Sequence, residues 1–211
     1  MTASQSPITD IVFDFCGVLV NWQCRAALEG RYDPDLVDRI CADDDLLGFF
    51  HYEDLMDGGM LLEDVLPIIA REQGADIAEV YRDYIAHYGD ALPSLIDGSL
   101  ELLEDLDKAG YRLWGLTNWS GETFHFAFER FPELAEHLRD TIVSGTERLH
   151  KPEAPIYELA IARFDLDPAR SVFLDDTVRN VDGARAVGFN GLVFSTSAQA
   201  RNDLRKLGVT C

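Results

Sequence analysis

Positively charged residues are scarce in this sequence. It has 18 lysines and arginines against 38 aspartates and glutamates, which gives a formal net charge of -20 at pH 7. Nucleic acids and other polyanions are bound through lysine and arginine footprints that release counterions, so the deficit excludes them as expected partners. A small anionic substrate is compatible with this charge only where a local cation or a metal ion offsets it.

Cysteine is also rare. The four cysteines form no CxxC pair and no zinc-type spacing, and they stand at Cys16, Cys24, Cys41 and Cys211. This pattern favours a reduced, intracellular chain over a disulfide framework or a zinc site.

Long hydrophobic runs are absent from the sequence. No apolar run approaches the roughly 20 residues that a membrane-spanning helix needs. The opening residues, MTASQSPITD, lack the basic and then apolar order of a secretion signal. The sequence therefore predicts a cytoplasmic protein without a membrane partner.

Short apolar segments do occur, and they alternate with longer amphipathic ones. This order is typical of βαβ units, so we expect an α/β fold with a Rossmann-like, doubly wound parallel sheet. Helices are predicted over residues 97–110 and 152–164, where apolar residues recur at helical spacing. The predicted strands are IVFDF (11–15), YRLWGLT (111–117), DTIVS (140–144), SVFLD (171–175) and NGLVFS (190–195).

The interval between the first two strands has a different pattern. No segment from about Trp22 to Leu92 resembles a strand, and Asp33 followed by Pro34 marks the start of a helix. We predict an all-helical cap, residues 21–92, inserted into a core that residues 1–20 and 93–211 form.

Polar residues follow four of the apolar segments. In parallel α/β sheets ligands bind beyond the carboxyl ends of the strands, so these side chains are expected to converge. Each alone has an ordinary structural explanation, such as a turn or a helix cap, and only their joint occurrence indicates a site. In chain order they are Asp14, Thr117, Asn118, Lys151, Asp175 and Asp176.

Three of these side chains are carboxylates, and Lys151 is the one counter-charge among the six. Repulsion among Asp14, Asp175 and Asp176 would raise their pKa values or push the groups apart. A hard divalent cation removes that repulsion, and Mg²⁺ suits a site of one or two carboxylates, a carbonyl and several waters. The sequence therefore predicts Mg²⁺ as the cofactor.

Four motifs carry a family resemblance that spans nearly the whole chain. FDFCGVLV, LTNWS, HKPEAPIY and FLDDTVRNVDGA resemble, in order, the motifs of the haloacid dehalogenase superfamily. The helical insertion is similar to the first-position cap of that family. The combination of motifs is most similar to the branch that contains sugar-1-phosphate phosphatases.

This resemblance implies a magnesium-dependent phosphatase that acts on a small phosphate ester, with Asp14 as the nucleophile that becomes an aspartyl-phosphate. It also implies the metal ligands: a carboxylate oxygen of Asp14, the main-chain carbonyl of Cys16 and the carboxylate of Asp176. Asp175 is then a further ligand or acts through water.

The remaining site residues follow from the same resemblance. Thr117 and Lys151 would hold the phosphate oxygens and stabilise the charge that develops on them. Asn118 would contact the phosphate or the nucleophile loop. Gly17 would allow the tight turn after the nucleophile.

Cys16 departs from the family pattern. Typical phosphatases of the superfamily carry a second aspartate there, which protonates the leaving oxygen, whereas a thiol with a reference pKa of about 8.5 is a poor acid. Three explanations remain open: a leaving group as acidic as an anomeric sugar oxygen, a proton from a cap residue such as His51, or a reaction that needs no proton.

The last explanation leads to an alternative function, a 2-haloacid dehalogenase, in which the aspartate attacks carbon and a halide leaves. Such enzymes generally carry a serine and an asparagine where this chain has Asp175 and Asp176, so the acidic pair favours the phosphatase. A second alternative is a weakly catalytic protein that binds a phosphorylated metabolite. In either case Trp22, Tyr52 and Trp119 are candidates to line the substrate pocket.

Overall fold

The computed structural model describes residues 7–211. Residues 1–6 of the predicted core therefore lie outside the described residues. Within the described part the strands are Asp10–Phe13 (β1), Val20–Asn21 (β2), Ser94–Leu95 (β3), Arg112–Thr117 (β4), Thr141–Val143 (β5), Ser171–Asp175 (β6) and Asn190–Val193 (β7).

The helices separate the strands as the alternating pattern predicts. Two short 3₁₀ turns, Tyr88–Ala91 and Pro168–Arg170, accompany them. The α-helices of the described residues are Cys24–Leu28 (α1), Pro34–Ile40 (α2), Phe49–Asp57 (α3), Leu62–Glu72 (α4), Ala75–Ala86 (α5), Ser99–Lys108 (α6), His125–Arg130 (α7), Pro132–His137 (α8), Ser144–Glu147 (α9), Ala154–Arg163 (α10), Val178–Ala186 (α11) and Ser197–Lys206 (α12).

Five strands form one parallel sheet in the order β5-β4-β1-β6-β7. The central strand is β1, and its Asp10 pairs with Arg112 on one side and with Ser171 on the other. All three strands run in the same direction, so the carboxyl ends of β1, β4 and β6 are neighbours at one edge of the sheet. Any side chains that follow these strands are thereby brought together.

Both faces of the sheet are covered by helices. Ile11 and Phe13 of β1 pack in the apolar cluster that also holds residues of α6 and α12, whereas Val12 packs in the cluster with residues of α10 and α11. Successive side chains of a strand point to opposite faces, which explains the division. The predicted fold class, a doubly wound parallel α/β sheet, is confirmed.

The segment between β2 and β3 contains α1 to α5 and no strand. Its α2 begins as predicted, because the Asp33 side chain accepts a hydrogen bond from the Asp35 N–H and Pro34 occupies the first helical position. That residues 21–92 form a cap on a separate core stays a prediction, and we call the residues between β2 and β3 the cap segment. Two-residue strands β2 and β3 pair antiparallel at its base, with Val20 opposite Leu95, which the sequence pattern did not indicate.

None of the helices in residues 7–211 combines the length and the apolar character needed to cross a lipid bilayer.

Candidate active site

The turn of residues 14–17 directly follows the central strand β1, and we call it the nucleophile turn after the role that the family resemblance implies for Asp14. Asp14 lies just beyond β1, and its Oδ1 accepts a hydrogen bond of 2.7 Å from the N–H of Phe15. The chain then turns at Gly17, whose φ of +77° favours glycine. A Cβ at this position would also collide with the carboxylate of Asp176, so the same glycine lets the nucleophile turn approach the acidic pair after β6.

Lys151 is buried and forms ion pairs with two of the carboxylates. Its Nζ lies 2.8 Å from Asp14 Oδ1 and 2.7 Å from Asp175 Oδ2, and only 1% of the side chain is exposed. The amide of Asn118 holds this lysine in place, because its Nδ2 donates to the Lys151 carbonyl at 3.0 Å and its Oδ1 accepts from the Lys151 N–H at 2.9 Å. The Asn118 side chain therefore ties the loop after β4 to the lysine backbone.

Asp175 and Asp176 differ in what they can still bind. The buried carboxylate of Asp175 accepts hydrogen bonds from Lys151, from the N–H of Thr177 at 2.8 Å and from Asn180 at 3.1 Å. Asp176 is exposed, and its Oδ1 accepts one bond, from the Thr177 hydroxyl at 3.2 Å. Of the two, Asp176 is the more available to a ligand.

The electrostatics of the site depend on burial and on these pairs. Burial raises the pKa of Asp14 to about 7, an effect that Asp175 reinforces and Lys151 opposes. Burial and the nearby Asp175 also raise the pKa of Asp176. For Lys151 burial acts in the opposite direction, but the two carboxylates outweigh it and its pKa is raised, so the lysine is charged at neutral pH.

The donor set fits a hard divalent cation. Asp14, Asp175 and Asp176 each offer a carboxylate oxygen, and these oxygens lie within 4.8 Å of one another. All three are oxygen donors, which Mg²⁺ prefers over nitrogen and sulfur. A cation there would offset the repulsion from Asp175, which adds to the effect of burial on the pKa of Asp14 and of Asp176.

Above these residues lies a cavity of about 390 Å³, which we call the outer cleft. It is bordered by core residues on one side and by α3 of the cap segment on the other. Its lining residues are Asp14, Cys16, Gly17, Trp22, Asp54, Asp57, Asn118, His150, Lys151, Asp176, Thr177, Arg179 and Asn180.

Four residues that the sequence analysis placed in the site or in the substrate pocket do not line the outer cleft. Thr117 is fully buried at the end of β4, and its hydroxyl donates to the Asn118 carbonyl at 3.4 Å instead of facing the outer cleft. His51, in the first turn of α3, is exposed beside the ring of Tyr52 and outside the lining of the outer cleft. Trp119 is 1% exposed and does not line the outer cleft, and Tyr52 packs in the core of the cap segment.

The sequence analysis missed several residues that do line the cleft. Asp54 and Asp57 come from α3, whereas His150 and Arg179 lie within the motifs HKPEAPIY and FLDDTVRNVDGA but were not assigned a role. His150 shares a contact of 3.2 Å with the Asn118 amide, and its pKa is lowered by burial. The sequence signal that could have identified Asp54 and Asp57 was the recurrence of acidic residues within one turn of α3. Such residues are usually solvated, so the signal was weak.

A parallel α/β core that gathers three carboxylates and a buried lysine at the carboxyl edge of its sheet defines a class of protein with an acidic, metal-compatible reaction site. Comparison with known families makes the assignment specific. A family described as haloacid dehalogenase-like hydrolase matches residues 11–188, and the chain belongs to this family.

Among curated relatives, the sesquiterpene phosphatase astK of Aspergillus oryzae is 34% identical over 107 residues, which cover 50% of this chain and 54% of that protein. The chain thus spans about half the length of this relative. The pyrophosphatase PpaX of Bacillus velezensis is 26% identical over 183 residues, 86% of this chain and 80% of that protein.

Solved structures show the same fold. A HAD family enzyme of Bacteroides thetaiotaomicron, determined as a magnesium complex, superimposes with a TM-score of 0.71 over 95% of this chain and 100% of that one, at 18% identity.

Proposed function

We propose that this protein is a magnesium-dependent phosphatase that hydrolyses a small phosphate ester through an aspartyl-phosphate on Asp14. The observation that carries the proposal is the convergence of Asp14, Lys151, Asp175 and Asp176 at one edge of the sheet. Relatives named as phosphatases support the chemistry, and the sequence motifs favour a sugar phosphate among possible substrates.

The nucleophile has one oxygen held and one free to react. The bonds from Lys151 Nζ and from the Phe15 N–H both end on Oδ1 of Asp14. Among the described residues this leaves Oδ2 to attack phosphorus and to form the acyl phosphate, which water then hydrolyses. Lys151 stays charged and offsets the negative charge that develops on the phosphoryl oxygens.

Asp14, Asp176 and the Cys16 carbonyl are the groups that would hold Mg²⁺. When bound, the ion supplies charge neutralisation for the phosphoryl group. Asp175, whose oxygens are already engaged by protein donors, would act by orienting Lys151. Asn118 would fix the backbone of the same lysine, so its role is positional.

The test measures two products in parallel. Release of phosphate from p-nitrophenyl phosphate and acetyl phosphate is followed with Mg²⁺ and with a chelator, and release of halide is followed from a 2-haloacid. We expect phosphate release that the chelator abolishes, and a hydroxylamine-sensitive phosphoryl group on the peptide that contains Asp14 after rapid acid quenching. Metal-independent halide release would instead establish the dehalogenase.

Asp14→Asn is the matching variant, since it keeps the shape of the side chain and removes the nucleophile. Turnover is expected to fall by at least about a thousandfold. An unchanged rate would exclude the acyl-phosphate route.

A further inference from the structure

A second, inner cavity adjoins the outer cleft. It has a volume of about 190 Å³ and lies between the nucleophile turn and the cap segment. Four of its lining residues also line the outer cleft, so the two spaces are continuous past Cys16 and Asn118. The inner cavity is lined by Cys16, Trp22, Glu53, Asp57, Tyr88, Asn118 and Trp119.

Because the two cavities are continuous, the alcohol that leaves from a substrate bound in the outer cleft can occupy the inner cavity. A phosphate held near Asp14 and Lys151 has its ester oxygen directed away from the nucleophile, because attacking and leaving oxygens are roughly in line. The small side chain of Cys16 stands where typical relatives carry a carboxylate, and it borders the passage between the two cavities. A small alcohol can therefore extend into the inner cavity.

The inner cavity holds two carboxyl groups without a matching cation. Glu53 and Asp57 lie four residues apart on α3, which puts them on the same face of the helix. Glu53 accepts a hydrogen bond of 2.8 Å from the Tyr81 hydroxyl, and no lysine, arginine or histidine is among the described residues that line this cavity. Burial raises the pKa of Glu53 to about 7, and burial together with Glu53 raises that of Asp57.

Aromatic rings form the remaining walls. The indole N–H of Trp22 donates to the Tyr84 hydroxyl at 3.1 Å, and that of Trp119 donates to the Thr123 hydroxyl at 3.0 Å. The single N–H of each indole is therefore bonded to a residue outside the cavity lining, and the ring carbons face the cavity beside Tyr88. Aromatic rings combined with carboxylates are the surroundings that bind ammonium groups best.

We propose that the inner cavity binds the leaving group and selects one that carries positive charge, so that the substrate is the phosphate monoester of a small amino alcohol. This inference rests on the proposed phosphatase function, and it replaces the sugar phosphate that the motif resemblance suggests with a different class of phosphate ester. Hydrolysis breaks the ester P–O bond, consumes one water, and yields inorganic phosphate and the free amino alcohol. The ammonium group pairs with Glu53 and Asp57, which neutral alcohols leave unpaired.

The experiment compares three esters of similar size: O-phosphoethanolamine, 2-hydroxyethyl phosphate and phosphoglycolate, whose leaving groups are cationic, neutral and anionic. We expect kcat/KM to be at least about tenfold higher for the cationic ester than for the neutral one, and lowest for the anionic ester. Glu53→Gln and Asp57→Asn should each reduce the ratio of cationic to neutral ester. The control Glu63→Gln, an exposed cap carboxylate, removes the same charge and should leave the ratio unchanged.

Binding provides a readout without turnover. Choline should raise the thermal midpoint of the wild-type protein more than its uncharged isostere 3,3-dimethylbutanol does, and Glu53→Gln should remove the difference.

The outcomes separate the two proposals. If p-nitrophenyl phosphate and acetyl phosphate are not hydrolysed, the phosphatase function fails. If they are hydrolysed but the neutral ester is as good a substrate as the cationic one, only the inference fails. If Glu53→Gln lowers kcat/KM equally for all three esters and shifts the pH profile of kcat/KM, the inference is overturned and Glu53 is a proton donor instead.

Discussion

Cys16 carries a thiol at the position where the family resemblance leads us to expect a second aspartate. The side chain lines both cavities, yet burial and the nearby Asp14 raise the pKa of this thiol well above its ordinary value. At neutral pH this side chain stays a neutral thiol. It is therefore a poor proton donor, and no thiolate is present to accept a proton. Position 16 therefore provides space and a main-chain carbonyl, and the proton for the leaving group must have another origin or be dispensable.

Restoring the carboxylate tests this interpretation. We expect Cys16→Asp to raise turnover of an alkyl phosphate, whose leaving oxygen needs a proton, by about tenfold or more relative to p-nitrophenyl phosphate, because general acids contribute at least that much. Steady-state rates with the two esters give the ratio. Cys16→Ser is the control, since it offers neither charge nor acidity. An unchanged ratio in Cys16→Asp would mean that proton supply does not limit the reaction.

Asp14 leads to a pH prediction. Its pKa is raised to about 7 by burial, so in the metal-free protein it holds a proton below that pH and loses it above. Mg²⁺ binding requires the ionised form, so affinity should increase as the pH rises to about 7 and then level off. Calorimetric titration at about pH 6 should give a dissociation constant roughly tenfold weaker than at about pH 8.

Asp14→Asn serves as the control for this titration. It should bind Mg²⁺ weakly with little difference between the two pH values. Identical affinities of the wild-type protein at both pH values would contradict the assignment of Asp14 as a ligand that must first lose a proton.

The helices of the cap segment bring together groups that are distant in the sequence. Cys24 of α1 and Cys41, which ends α2, lie with their Sγ atoms 2.7 Å apart as free thiols. The Cys24 thiol donates to Cys41, which raises the pKa of Cys24 and lowers that of Cys41. The two cysteines are 17 positions apart, and their spacing gave no signal in the sequence because the contact depends on how two helices cross.

This contact makes the two thiols unequal in reactivity. The thiolate is the reacting species, so Cys41 should be alkylated by iodoacetamide at neutral pH at least about threefold faster than Cys24 or Cys211. Peptide mass spectrometry over time gives the three rates. Cys24→Ala removes the hydrogen bond and should slow the labelling of Cys41, whereas faster labelling of Cys24 would show that the donor and acceptor are reversed.

Elements of the core were more predictable than the cap. All five predicted strands occur in the parallel sheet, since buried parallel strands produce short apolar runs that few other structures produce. Helix starts with a strong local signal, such as Asp33 with Pro34, were also predictable. The pair β2 and β3 was not, because a two-residue strand has no periodicity to detect.

At the scale of the whole molecule, topology explains which site residues could be anticipated. Asp14, Lys151 and Asp176 follow strands or motifs at the carboxyl edge, and parallel pairing alone brings them together. Thr117 is the last residue of β4, yet its side chain is fully buried and does not line the outer cleft, since one residue of register decides which way a strand side chain points. Glu53 and Asp57 reach the site only through the packing of the cap segment on the core, which no local pattern encodes.

The whole molecule is strongly negative, and this charge affects how its thermal stability should respond to magnesium. With a net charge of -20 the folded chain repels itself, and any added salt screens part of that repulsion. Specific binding of Mg²⁺ at the carboxylate cluster would add a separate stabilisation, about 2.7 kcal/mol at a hundredfold excess over the dissociation constant. For a chain of this size that corresponds to a rise in Tm of about 5 to 10 °C.

Thermal unfolding in EDTA, in NaCl and in MgCl₂ at matched ionic strength separates the two effects. NaCl should raise Tm slightly through screening, and MgCl₂ should raise Tm more. Asp176→Asn should respond to both salts alike, because it removes the most available ligand, whereas the exposed Glu63→Gln loses the same charge and should keep the larger response to MgCl₂. If wild-type protein responds equally to both salts, magnesium acts only as a screening ion, and the carboxylate cluster must be stabilised by Lys151 alone.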